Sequence, residues 1–359
     1  MMNWPEHGGQ PDMMKKLLQA EELEVLDFSA NLNPLGPPEW LQGELEGQWK
    51  KLLCYPDPNY SYCTSSLAWM ERIYNEEILL TNGGAEAIFL AAKYFEGKRA
   101  GIVHPAFSEY ERACRHYHLQ VKGIMTSPLN DFRLPMNQLL EALPDLDVLF
   151  LCRPNNPTGV VIPKAEIKML LKQGLHDQTF LVIDEAFVDF VPSESLTPML
   201  KEYPNLILLR SLTKMYTIPG LRLGYMLARE AVINEIRSFQ VPWSVNALAS
   251  AIAPRLLRDK SFVTNTVSWL DEQKRTLQTF AENNDFYLSN TSVNFYLLQD
   301  NRHLEKTEAL FTFLFQHGIL ARHTYNFKGL EGSHLRLAIR SEDENAKLLT
   351  ILKKWRERV

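Results

Sequence analysis

Cysteine is scarce in this 359-residue chain: Cys54, Cys63, Cys114 and Cys152 are the only four, irregularly spaced and without a CxxC pair. A disulfide framework or a zinc site built on cysteine is therefore not expected, and the thiols read as reduced. Long apolar runs are missing too, so no segment reads as membrane-spanning. The start of the chain, Met1-Met2-Asn3-Trp4-Pro5-Glu6-His7, lacks the basic-then-apolar order of a secretory signal. These absences together predict a cytoplasmic protein with no membrane partner. Positive charge is not in excess, at 38 Lys+Arg against 43 Asp+Glu and a net charge of −5. That balance argues against a nucleic-acid partner, which would favour a basic surface. No GxxxxGK[ST] loop is present, which removes the commonest nucleotide-phosphate cradle. His116 and His118 have no matching carboxylate or cysteine cluster, so His116-Tyr117-His118 reads as surface and no metal is expected.

What is present is a run of short apolar segments alternating with helical ones. Ile78–Thr81, Gly101–His104, Asp147–Cys152, Phe180–Asp184, Leu206–Leu209 and Leu223–Leu227 read as buried strands. Helices between such strands imply an α/β fold with a mostly parallel sheet covered on both faces. Past about residue 250 the pattern changes to a long charged helix from Thr264 to about Glu282. Strands at Val293–Leu298, Ile319–Arg322 and Leu335–Arg340 follow, with a last helix from about Glu342 to Arg358. This mixture predicts a smaller α+β domain. The expected organisation is an N-terminal segment (1–45) packing with the small domain and active site, a large domain (46–250) and a small C-terminal domain (251–359).

Lys214 is the residue through which chemistry enters. It follows the strand-like Leu206–Leu209, and the C-terminal edge of an open α/β sheet is where ligands bind. An amine there can form a Schiff base with an aldehyde. The hydroxyls of Ser211 and Thr213 and the guanidinium of Arg222 could hold a phosphate. Gly83-Gly84-Ala85 lies at a strand-to-helix turn, where free N–H groups and the helix dipole favour the same anion. Asp184 ends an apolar strand, and Asn155-Asn156-Pro157-Thr158-Gly159 forms a turn after another. Each signal alone has an ordinary structural explanation. Their common position at strand ends does not.

The set resembles the fold-type I pyridoxal-phosphate enzymes over nearly the whole chain. That resemblance implies a large domain with a mostly parallel seven-stranded sheet, a smaller α+β domain, and pyridoxal 5′-phosphate as cofactor. It makes Lys214 the Schiff-base lysine and Asp184 the partner of the protonated pyridine nitrogen. Asn156 is expected on the ring hydroxyl and Phe107 stacked on the ring. Gly84, Ala85, Ser211 and Arg222 are expected on the phosphate. Tyr55 resembles a tyrosine that reaches the cofactor phosphate from a neighbouring subunit, which implies a homodimer.

Substrate contacts are expected from arginine. In a strand at Leu335–Arg340, Arg336, Ala338 and Arg340 share a face, and Arg322 adds a third guanidinium suited to carboxylate or phosphate. His7-Gly8-Gly9 can offer an imidazole and open backbone N–H groups, and Asn31 an amide. More narrowly, His7-Gly8-Gly9, the segment Asp27–Gly36, Arg210–Lys214, Ile218–Tyr225, Pro242–Ala249 and Ala338–Ser341 resemble the threonine-phosphate decarboxylases of cobalamin biosynthesis. These are close to the histidinol-phosphate aminotransferases, which are the alternative reading. A non-catalytic binding or regulatory domain on the same fold is a further alternative. The resemblance implies that His7, Gly8, Asn31, Asn156, Arg322 and Arg336, with Arg340 as an addition, contact a phosphorylated amino acid. Phe187 stands where the aminotransferases carry a tyrosine, which favours the decarboxylase. Gln10 and Gly84-Ala85 depart from the decarboxylase pattern.

Overall fold

The computed structural model describes residues 4–358. Its N-terminal segment contains a short strand, β1 (Leu26–Asp27). The large sheet follows, built from β2 (Ile78–Thr81), β3 (Arg99–His104), β4 (Gln120–Met125), β5 (Val148–Cys152), β6 (Phe180–Asp184), β7 (Leu206–Ser211) and β8 (Gly224–Leu227). Their order across the sheet is β2-β8-β7-β6-β5-β3-β4. The neighbours β3, β4, β5, β6 and β7 pair in parallel, while β8 is antiparallel to both β2 and β7. The reversal at β8 has a simple cause. No crossover helix separates it from β7, only a loop with the 3₁₀ turn Pro219–Leu221, so the chain doubles back.

Alternation along the central strands explains their unbroken apolar sequences. Leu149, Leu151, Leu181, Ile183, Leu206 and Leu208 enter one hydrophobic cluster. Val148, Phe150, Val182, Ile207 and Leu209 enter another on the opposite face. Both faces are covered, so both alternating sets must be apolar. The strand β4 was not among the apolar runs because it lies at an edge, and its Gln120, Lys122 and Met125 are exposed.

The C-terminal part contains the helix Lys260–Asn283, which begins on Asp259, whose side chain accepts from the Phe262 N–H at 3.1 Å. A second sheet is antiparallel: β9 (Phe286–Leu288), β10 (Phe295–Asp300), β12 (Arg322–His323) and β13 (Leu335–Ala338), in the order β12-β13-β10-β9. The stretch expected as one strand at Ile319–Arg322 is divided. β11 (Ile319–Leu320) pairs with β1, and β12 turns into the four-stranded sheet. The N-terminal segment is thereby tied to the C-terminal part.

Candidate active site

The C-terminal ends of β5, β6 and β7 place Cys152, Asp184 and Ser211 along one edge, with Cys152 and Asp184 in direct register. The loop after β7 carries Thr213 and Lys214 into a cavity of about 380 Å³. Asn33 secures that loop: its N–H donates to the Lys214 carbonyl at 3.1 Å and its side chain to the Met215 carbonyl at 2.9 Å. Burial pushes the Lys214 amine down to about 8, helped by Arg336 and Arg222 and opposed by Asp184. A substantial fraction of that amine is therefore neutral, and nucleophilic, near physiological pH.

Asp184 is buried and held on both oxygens. Tyr110 donates to Oδ2 at 2.6 Å and the Ala186 N–H to Oδ1 at 2.8 Å. Burial raises its carboxyl nonetheless, against the pull of Tyr110, Ala186 and Lys214. A cation brought beside this carboxylate would relieve that cost. Tyr110 was missed in the sequence, although its position one helical turn beyond Phe107 was the available signal. The helix Ser108–His116 starts directly after Phe107, which lines the cavity.

The helix Gly83–Tyr94 lines the cavity at its start and has no side-chain cap from Asn82, and the first N–H groups of a helix have no partner within it. Gly83 has φ +75°, and a Cβ there would collide with the Arg222 guanidinium. Gly84 has only Ser211 Cβ nearby, 3.8 Å from an added Cβ. Ser211 and Thr213 share a 2.8 Å hydroxyl contact beside it.

Across the cavity, Arg322 and Arg336 are direct register partners on β12 and β13. Burial pushes both guanidinium groups downward, and for Arg336 the neighbouring Arg322 charge adds to it. Arg336 donates to Asn156 Oδ1 at 2.6 Å and to the Ser29 carbonyl at 2.8 Å, and its Nε has no partner. Asn31 Oδ1 is likewise buried without one. These orphaned groups and paired cations fit an anionic, hydrogen-bonding ligand.

His7, Gly8, Asn31, Gly84, Ala85, Phe107, Asn156, Asp184, Ser211, Lys214, Arg222, Arg322 and Arg336 all line this one cavity. Two expected residues do not. Arg340 lies beyond the end of β13 and pairs with Glu344 at 2.8 Å, so the shared face expected with Arg336 ends at Ala338. Tyr55 lies on the surface, with its ring 4.9 Å from that of Trp243. Arg322 differs in another way. Its donors already serve the carbonyls of Pro5, at 2.8 Å, and Glu6, and the Asn326 side chain, at 2.8 Å. Phe187 is buried against Phe295, with ring centroids 4.8 Å apart. Among the described residues, no helix is long and apolar enough to cross a membrane.

The chain belongs to the family described as aminotransferase class I and II, which matches residues 24–352. A threonine-phosphate decarboxylase of Salmonella typhimurium is 36% identical, over 97% of this chain and 95% of the relative. Among solved structures, a histidinol-phosphate aminotransferase from Clostridium acetobutylicum matches with TM-score 0.88 and 28% identity, covering 93% of this chain and 100% of that one. The L-threonine-O-3-phosphate decarboxylase from Porphyromonas gingivalis matches with TM-score 0.81 and 28% identity, covering 92% and 99%. The backbone is common to both activities, so the choice of reaction lies in the site.

Proposed function

We propose, from membership of that family, that the protein is a pyridoxal-phosphate-dependent decarboxylase of L-threonine O-3-phosphate in cobalamin biosynthesis. The products are CO₂ and (R)-1-aminopropan-2-yl phosphate. The observation that carries this reading is buried Arg336, whose Nε has no partner, in the same cavity as the lowered amine of Lys214. A substrate with both a phosphate and a carboxylate supplies an anion for that guanidinium.

Pyridoxal 5′-phosphate supplies an aldehyde for amines and a protonated ring that accepts the electron pair released at the substrate's α-carbon. The residues that would hold it are those around the edge of the large sheet. Lys214 offers the neutral amine, and Asp184 keeps the ring nitrogen protonated. Asn156, with Oδ1 engaged by Arg336, has its amide N–H groups left to donate to the ring oxygen. Gly84, Ala85, Ser211 and Arg222 hold the phosphate, and Phe107 covers the ring. On the substrate side, His7, Gly8, Asn31, Arg336 and Arg322 bind phosphate and carboxylate and orient the bond between the α-carbon and the carboxylate. Breaking that bond releases CO₂ and leaves an electron pair at the α-carbon. Lys214 or water would return a proton there.

Histidinol-phosphate aminotransfer is the second reading, favoured by the backbone match. Phe187 weighs against it, because a phenyl ring offers no hydroxyl to the ring oxygen. The assay incubates the holoprotein with L-threonine phosphate and measures CO₂ and the amine phosphate. Absence of CO₂ together with amino transfer from histidinol phosphate to 2-oxoglutarate would reverse the assignment.

The phosphate cradle has its own test. Gly83→Ala is expected to weaken cofactor affinity by roughly tenfold or more, the scale of a hydrogen bond to a charged group, since the new methyl displaces the Arg222 guanidinium. Gly84→Ala should bind nearly as the parent does. Fluorescence titration of cofactor-stripped protein reads both, and equal affinities would refute the cradle.

The same reading includes a cytoplasmic homodimer. Tyr55 is 83% exposed, and Trp49, Leu52, Leu53, Tyr62 and Trp69 are exposed as well. Large apolar side chains left exposed in such number suit an association surface. Sedimentation should show a dimer, and Tyr55→Phe should weaken cofactor binding without dissociating it. A fully active monomer would contradict this.

A further inference from the structure

Residues 4–9 run along the cavity between two anchors. At one end Trp4 sits among Phe311, His323 and Tyr325, with ring centroids 5.2, 4.7 and 5.4 Å away. Arg322 donates to the Pro5 and Glu6 carbonyls there, and Asn326 to Glu6 at 2.8 Å. At the other end His7 Nε2 lies 3.1 Å from Glu109 Oε1, on the helix Ser108–His116 of the large-sheet side. Gly8 packs so closely that a Cβ would collide with the Ser29 carbonyl, and the Gly9 N–H donates to Ser29 Oγ at 2.8 Å. The segment is a strap joining the C-terminal part to the large sheet's helical cover.

Glu109 is the unusual member. An acid in the first turn of a helix gains from the dipole while remaining in water, yet Glu109 is only 6% exposed. Burying a carboxylate is costly unless it is paired. Its partners are His7 and Arg112, the latter at 3.4 Å and mostly exposed. A bare carboxylate at this mouth would also repel an anionic substrate.

We propose that Glu109 is a positioning residue: its carboxylate, 3.1 Å from His7 Nε2, pairs with that imidazole, fastens the strap across the cavity, and so presents His7 and Gly8 to the substrate's anionic group. The proposal rests on the substrate reading above only in taking that substrate to be a phosphorylated amino acid. The clasp itself can be tested without any substrate.

Amide hydrogen exchange of the holoprotein gives that test. Glu109→Ala and His7→Ala should speed exchange at residues 6–9, while Glu109→Gln, which keeps a carbonyl acceptor, stays near the parent. Unchanged exchange in Glu109→Ala would overturn the clasp. Kinetics and titration of the cofactor's visible band with O-phospho-L-threonine test its purpose. Glu109→Ala should raise KM and the half-saturation point by about ten- to hundredfold, the scale of a hydrogen bond to a charged group, with kcat within about twofold. Glu109→Gln should recover most of the loss, and the double variant with His7→Ala should be no worse than His7→Ala alone. Additive effects, or a lower KM in Glu109→Ala, would overturn positioning.

Two further outcomes separate the alternatives. A parent holoprotein whose band ignores O-phospho-L-threonine refutes the substrate, leaving the exchange result to decide the strap. Glu6, His7 and Glu109 offer ligand atoms within 4.8 Å of one another. A parent response abolished by EDTA and restored by a divalent cation would make them a cation site and overturn the clasp.

Discussion

Replacing Lys214 with alanine is expected to lower kcat by on the order of 10⁴-fold or more, the full span of a positioned proton-transfer group. It should also remove the holoprotein's borohydride-sensitive visible band. The reasoning begins with the position of the amine, buried between two arginines and one aspartate. Burial, Arg336 and Arg222 disfavour the ammonium and bring it down to about 8, from an ordinary value of 10.5. The neutral amine is the reactive form. A lowered pKa therefore makes reactivity present above about pH 8 and lost as pH falls through that value. The rate at which cofactor-stripped protein captures pyridoxal phosphate should rise about tenfold per pH unit below 8 and level above it. An ordinary lysine would keep rising toward pH 10.5. Continued rise beyond pH 9, or a Lys214→Ala protein that keeps the band, would remove Lys214 from the chemistry.

The second large effect is expected at Asp184. Asparagine has nearly the same shape, keeps an acceptor for the Ala186 N–H, and offers an amide toward Tyr110, whose hydroxyl can turn to accept. What is lost is the charge. Removing one partner of a buried ion pair costs about 3–5 kcal/mol, and each 1.36 kcal/mol is about tenfold in rate. Asp184→Asn should therefore lower kcat by roughly 10²–10⁴-fold, measured as CO₂ release. Stability separates this from a folding defect. Burial raises the Asp184 carboxyl in the protein alone. A carboxyl raised on folding favours the native state at low pH and weighs against it as pH rises through the folded value. Near pH 7 the asparagine removes that burden, so the cofactor-free variant should melt no lower than its parent. The stabilisation that the cofactor adds should shrink. A variant that melts far below its parent without cofactor would point to a structural role instead.

Much of the site was legible because it is local. Asp184 ends an apolar strand, Lys214 and Asn156 each follow one by a few residues, and the end of a strand in a parallel sheet is also the edge where pockets form. Gly83-Gly84 announced a turn into a helix. The strands with unbroken apolar sequence were recognisable, whereas edge strand β4, with exposed Gln120 and Lys122, lacked that signal. Arg340 shows the limit of reading by periodicity. Alternation placed it beside Arg336, but β13 stops at Ala338 and the chain turns into the helix Glu342–Arg358. There Glu344, four residues on, takes the guanidinium.

By itself, the sequence determined the layered α/β fold, the strand-end positions of the chemical groups, and the resemblance that ties them to one cofactor. These follow from short-range patterns: apolar runs, turn residues, and motifs a few residues long. Only the tertiary structure decided which groups meet. Tyr110 reaches Asp184 across 74 positions and Arg336 reaches Asn156 across 180. The strap reaches Arg322 over an even longer separation. Such pairs depend on strand register and on how the two sheets pack, and no local pattern encodes a partner that far along the chain. The register of β12 and β13 is what sets Arg322 directly against Arg336.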